Sequence, residues 1–270
     1  MIVQTAAPGR PHFIIRQTDH ARMSGQLALA FGNARFAPLE PREAMVFVAG
    51  HHDEGWEAID AKPGRDPKTG LPWHLTQTPM AALIASGTRS PEFNARFNPV
   101  AGLISSMHTW GLWNGRYGLS DRIIINNVPA EVKPAAMTML DGELARQAQL
   151  KARISADPRE AHLALEAWAF HNYKLLQFFD TLALYFHLTH PEARGEAAFL
   201  NVPQGVNDDI TVTVHPRDGA YVVSPWPFAG DELIVSTPGC WMSPLPEGSD
   251  IEHAYRYALT GAQIERLVAA

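Results

Sequence analysis

At four places this chain sets a metal-capable side chain where a helical pattern calls for an apolar one. His20 interrupts the stretch DHARMSGQLALAF, and His108, flanked by Ser105, Ser106 and Met107, interrupts LISSMHTWGLW. FVAGHHDEGW (47–56) runs from an apolar face straight into His51, His52, Asp53 and Glu54, and Asp180 sits inside LLQFFDTLALYF. An ionised carboxylate in an apolar helix is costly to bury unless a cation, a metal or several donors meet it. Neutral imidazoles and carboxylates together suit a divalent ion: Zn, Fe or Mn, or Mg where carboxylates dominate. The single cysteine, Cys240, excludes a zinc site built from several thiolates. Each residue also has a plain structural reading. His52 and Asp53 alone fit a solvated helix end, His20 and His108 fit core histidines bonded to backbone or serine, and Asp180 fits a buried acid held by Tyr or Trp. Facing helices of a bundle would bring all of them to one inward point.

The elements that must position these groups follow from the spacing of apolar residues and from caps. MIVQT, a turn at PGRP and HFII predict an N-terminal hairpin. Helices are expected from Asp19 to Phe31, from about 43 to 59, from about 79 to 86, from Asn98-Pro99 to Gly115, and from about 134 to 154. The longest begins near Asp157 and contains AHLALEAWAFHNYKLLQFFDTLALYFHL, apolar on more than one face and therefore central. Tyr173 and His187 lie seven residues either side of Asp180 and share its face. IIINNV reads as a short strand or extended segment. After His190-Pro191, ITVTVHP, AYVVSPWPF, ELIVSTPG and HAYRYAL read as strands separated by turns. The expected fold is thus mainly α: one domain over 1–270, a helical core over 1–200, and a β-rich extension over 201–270 that forms a small antiparallel element with the N-terminal hairpin.

Bulk properties narrow the function classes. With 270 residues, 46% hydrophobic and 19% charged, the chain has the profile of a soluble globular protein. Its net charge of −6 and the lack of a basic stripe argue against a nucleic-acid partner. No apolar run approaches a membrane span, and no Lys/Arg run precedes an apolar stretch at the start, so neither membrane insertion nor secretion is expected. One cysteine fits a reducing cytoplasm, and a homo-oligomer is compatible with everything above. Walker, dinucleotide and nucleophile-elbow motifs are missing. Arg116 and Tyr117, in GLWNGRYG, are candidates to meet a small anionic substrate, with Lys174 as a further cation. Glu54 is a candidate acid that orients a ligand imidazole. Trp56, Trp73, Trp110 and Trp113 are candidate pocket walls.

The order His…His-Asp…His…Asp resembles the HD superfamily of metal-dependent phosphohydrolases, in which such residues bind metal within a helical bundle. The resemblance implies His20, His52, Asp53 and Asp180 as ligands of a first metal, with His52 favoured over His51 because it adjoins the Asp. It implies His74 and His108 as ligands of a second metal bridged by Asp53, and phosphate esters as substrates. His108 is the candidate proton carrier. Two alternatives stand beside this reading: a di-iron oxygenase on the same scaffold, which needs both His74 and His108, and a non-catalytic metal- or ligand-binding protein. QTDHARMSGQLA, HHDEGW, SMHTWGL with GRYG, and NYKLLQFFDTLALYF together resemble, over nearly the whole chain, a bacterial family of unknown function, number 3891.

Overall fold

The structure, a computed structural model, describes residues 1 to 270. The chain opens with β1 (Ile2–Val3) and β2 (His12–Ile15), followed by α1 (Gln17–Ala30), α2 (Arg42–His51) and the single turn α3 (Glu57–Asp60). Next come α4 (Met80–Phe97), α5 (Pro99–Trp113), α6 (Lys133–Ser155) and α7 (Glu166–Leu188). The remainder is β3 (Ala197–Gly205), β4 (Asp208–Arg217), β5 (Ala220–Ser224), β6 (Glu232–Met242), the short α8 (Ile251–Arg256) and β7 (Leu259–Ala269).

Helices hold 50% of the residues and strands 21%, and the strands form one curled, seven-stranded half-barrel. This overturns the expectation of a mainly α bundle with a small antiparallel element. The sheet runs in the order β1-β2-β6-β7-β5-β4-β3. It is mixed, because β7 returns after α8 to lie antiparallel to β6 and parallel to β5, with Tyr221 opposite Leu267. The physical reason is burial. Strand alternation points Val212, Val214, Val223, Val235 and Leu267 inward, where they join α1, α2, α5 and α7 residues in one apolar core. The tail therefore builds one wall of that core. Long-range pairing completes it: Phe13 lies opposite Trp241 and Ile14 opposite Cys240, which splices the N-terminal hairpin onto β6.

Two further segments differ from their expected type. HAYRYAL is mostly α8, because the Asp250 carboxylate accepts the His253 amide and starts a turn of helix. IIINNV forms a 3-10 turn over Ile124–Asn127, not a strand. The Asn98 cap is as its sequence suggests, with its side chain accepting from Val100 and Ala101 and Pro99 opening α5. No helix of the chain is long and apolar enough to cross a membrane.

Close backbone contact fixes the helices that matter for the site. α1 and α2 touch at Gly25 and Gly50, where a Cβ on Gly25 would stand 2.8 Å from the Gly50 Cα. The turn after α2 docks on α4 through Gly55, whose Cβ would lie 2.3 Å from the Ser86 carbonyl oxygen and whose N–H donates to the Ser90 hydroxyl at 2.9 Å. Gly25→Val is expected to push α1 from α2 and to destabilise the fold by about 1–3 kcal/mol, the usual cost of overpacking. Thermal unfolding checks this, with an unchanged melting temperature as the contrary result.

Candidate metal centre

Four elements converge. α1 brings His20, the end of α2 brings His52 and then Asp53, α5 brings His108, and α7 brings Asp180. His20, His52, His108 and Asp180 are all buried. Asp53 reaches the surface of the cavity with 14% of its side chain exposed. His20 Nε2 lies 3.0 Å from Asp180 Oδ1. His52 Nε2 lies 3.7 Å from that same oxygen and 3.6 Å from Asp53 Oδ2. His52 Nδ1 is tied to the Ala49 carbonyl at 2.9 Å, while its Nε2 is buried with no hydrogen-bond partner.

These spacings suit a cation. Two ligand atoms each about 2.1 Å from one ion are about 3.0 Å apart at a right angle and about 3.4 Å apart at the tetrahedral angle. Potential ligand atoms of His20, His52 and Asp53 lie within 4.8 Å of one another, as do those of His52, His108 and Asp180. His52 belongs to both groups, so its orphaned nitrogen stands at their junction. The donor set, three imidazoles and two carboxylates, fits Zn, Fe or Mn better than Mg.

Neighbouring residues fix how the ligands sit. His20 Nδ1 meets His187 Nδ1 at 3.0 Å, and His187 Nε2 meets the Thr237 hydroxyl at 2.8 Å. Histidine ligands of metals typically have such a partner on the far nitrogen. Gln177 meets His108 Nδ1 at 2.7 Å. An amide can present either end, so its carbonyl can accept from Nδ1–H and leave the Nε2 lone pair for a cation.

The electrostatics follow from burial. Burial would raise the Asp180 pKa, but the hydrogen bond from His20 and the fields of His52 and His108 outweigh it and hold the carboxyl below its ordinary range. Burial raises Asp53, against the opposing fields of His52 and His20. Burial lowers His108 to about 3 and pushes His187 well below its ordinary value. A neutral His108 at physiological pH is suited to ligation, and poorly suited to carrying protons.

The cluster opens into a cavity of about 450 Å³. Trp56 and Trp113 line it; Trp73 and Trp110 do not. Arg116 also lines it, with Nη2 4.0 Å from Asp180 Oδ2. The other expected site residues fall elsewhere. His51 bonds Glu54 at 2.9 Å and stacks on Phe47, outside the cavity lining, so the structure places His52 and not His51 at the cluster and gives Glu54 no contact with it. His74 accepts the Val3 amide at 3.0 Å and lines a second, separate cavity. Tyr117 packs on Trp110 and Tyr173, and Lys174 is paired with Asp209. Sequence reading did not single out Gln177, Thr237 or Arg122. Gln177 carried one usable signal, standing three residues before Asp180 and thus on its face. His74→Ala is expected to leave metal affinity within about twofold of wild type, because its ring serves the backbone. Titration calorimetry checks this, and a large loss would return His74 to the ligand set.

The fold and site define an α+β protein whose helices close a buried His/Asp cluster against a half-barrel sheet. The family described as "Protein of unknown function (DUF3891)" matches residues 1–243, and the chain belongs to that family. No curated protein and no solved structure matches the chain.

Proposed function

We propose that this chain is a metal-dependent hydrolase that acts on a small phosphate ester, with His20, His52, Asp53, His108 and Asp180 holding the ion. The observation that carries the reading is His52 Nε2, buried, unpartnered and between two carboxylates. Leaving a buried nitrogen unsatisfied costs about 1–3 kcal/mol, a cost that a bound cation removes. When bound, a divalent ion supplies a Lewis acid and a water acidified toward neutral pH. The chain's own residues do the rest. His187 and Thr237 hold the His20 ring in place, and Arg116 and Arg122 offer guanidinium groups to an anionic oxygen at the cavity.

The likeness to HD phosphohydrolases rests on ligand order alone, and the family match does not carry it. The di-iron alternative needs His74, whose ring is occupied by Val3, so the geometry favours the hydrolase. A cytoplasmic setting is supported by the single cysteine. The test is metal analysis of the purified chain with a panel of phosphate esters. Metal-dependent turnover that His52→Ala abolishes is the expected result. A metal-free wild type, or activity unchanged in His52→Ala, would sink the reading, and metal binding without turnover would make this a non-catalytic binding protein.

A further inference from the structure

The cavity above the cluster has two chemically distinct parts. Its floor is polar, with two carboxyl groups among three imidazoles: His20, His52, Asp53, His108 and Asp180. Its walls are largely apolar, from Trp56, Met80, Leu83, Leu112, Trp113 and Ile124. Met80, Leu83, Leu112 and Ile124 are each only partly buried, so the cavity leaves apolar surface wet when nothing fills it. Of the five hydroxyls that line it, those of Ser86, Ser90 and Ser120 are engaged and those of Thr76 and Thr109 are not. Ser90 accepts from the Gly55 amide, and Ser86 donates to the Leu83 carbonyl.

Two arginines line the cavity, Arg116 and Arg122, and both come from one loop. That loop is held in an unusual shape. Gly115, Arg116, Tyr117 and Gly118 all have positive φ, at 70°, 52°, 56° and 90°. Two consecutive non-glycine residues in this region are strained, and such strain persists where the surroundings enforce it. Here Tyr117 is wedged between Trp110 and Tyr173, and Ser120 donates back to the Gly115 carbonyl at 3.1 Å. The result aims Arg116 at Asp180 and places a positive group where the polar floor meets the apolar wall.

We propose that the ligand is an organic phosphate ester with an apolar, uncharged organic group, aryl or alkyl. Its phosphoryl oxygens face Arg116 and the floor, and its organic group lies along Trp56, Trp113, Met80, Leu83 and Leu112. This rests on the hydrolase reading for the chemistry, but it makes a separate demand: affinity must rise with the apolar size of the group beyond the phosphoryl end. Polyhydroxylated esters gain less along Trp56, Met80, Leu83, Leu112 and Trp113, because a hydroxyl laid against an apolar side chain loses water without finding a partner there.

The test uses the full chain as purified and non-hydrolysable alkylphosphonates from methyl to hexyl, with binding read by calorimetry and by quenching of tryptophan fluorescence. Each added methylene is expected to tighten binding by about two- to fourfold until the walls are covered. Arg116→Gln should weaken every member of the series by about the same factor, near tenfold, and leave the dependence on chain length intact. Met80→Ser, at the first and partly exposed position of α4, should flatten that dependence, weakening hexylphosphonate by a larger factor than methylphosphonate. Affinity independent of chain length, or hydrolysis confined to glycerol phosphate and sugar phosphates, would overturn the proposal while leaving the hydrolase reading standing. Length-dependent phosphonate binding with no turnover of any ester would do the reverse: the ligand class holds and the hydrolase fails.

Discussion

Asp180→Asn is expected to weaken metal binding by about 100-fold or more while leaving the chain folded. Replacing a residue that merely orients a ligand typically costs about 10–100-fold in affinity, and Asp180 stands within the cluster itself. Its Oδ1 is shared between His20 at 3.0 Å and His52 at 3.7 Å, and its Oδ2 faces Arg116 at 4.0 Å. Asparagine keeps the shape and can still bond His20, so lost affinity would report the missing charge and not a collapsed core. A ligand present at 100 times its Kd stabilises the folded state by about 2.7 kcal/mol. In the Asn variant that increment should nearly vanish at the same metal concentration. Paired thermal melts with and without Zn or Mn, together with calorimetry, measure both. Lys174→Ala is the control, because Lys174 is paired with Asp209 and is expected to affect neither reading. An Asn variant that binds metal as tightly as wild type would remove Asp180 from the ligand set.

The second large effect concerns pH. Stripped of metal by a chelator, the protein is expected to lose stability as pH falls below about 6.5. His108 titrates near 3 in the fold against an ordinary value of 6.5, so between these values the unfolded chain binds a proton that the folded chain excludes. Stability therefore rises with pH across that window and levels off above it. Each pH unit is worth about 1.4 kcal/mol per such group, so His108 contributes on the order of several kcal/mol by the lower end. His187 is lowered in the same direction by burial. Asp53, Glu143 and Glu265, raised by burial, run the other way and gain as they protonate. The histidine share is isolated by comparison with His108→Gln. The stability difference between wild type and variant should change by about 1.4 kcal/mol per pH unit below 6.5 and stay flat above it. Parallel denaturation midpoints from pH 7.5 to 5 would contradict the assignment.

The cluster was more legible in the sequence than the sheet. Asp180 and His52 announce themselves because a charge or an imidazole in an apolar helical repeat violates a local pattern, and that violation is visible in a short window. His51 against His52 could be argued only from the neighbouring Asp; in the structure His52 is the one buried beside Asp180, because α2 ends at His51 and the turn that follows directs His52 inward. The placement of His74 was not legible because it lies in a loop with no periodicity to say which way it points. Its partner, the Val3 amide, is 71 residues away. The sheet failed for a related reason. Alternation in ITVTV or ELIVS identifies a strand but not its neighbours, and pairings such as Phe13 with Trp241 or Tyr221 with Leu267 are set by long-range packing on α7 and α1. With those partners unread, the tail reads as a small β-rich extension packed on the helices, whereas its five strands join the N-terminal hairpin in one sheet that walls the core. Arg116 was found as a cation in a glycine-flanked segment, but its aim at Asp180 depends on the left-handed turn from Gly115 to Gly118, which sequence spacing does not display.

The central claim is that the buried His/Asp cluster holds a divalent ion. The most direct measurement is a crystal structure of the chain purified without chelator, with anomalous scattering collected at the Mn, Fe and Zn edges. An anomalous peak is expected about 2.0–2.2 Å from His52 Nε2, with Asp180 and His20 in its coordination shell and His74 outside it. Crystals soaked in each metal that show no anomalous peak at the cluster, with His52 Nε2 bonded to water or to a protein oxygen, would contradict it.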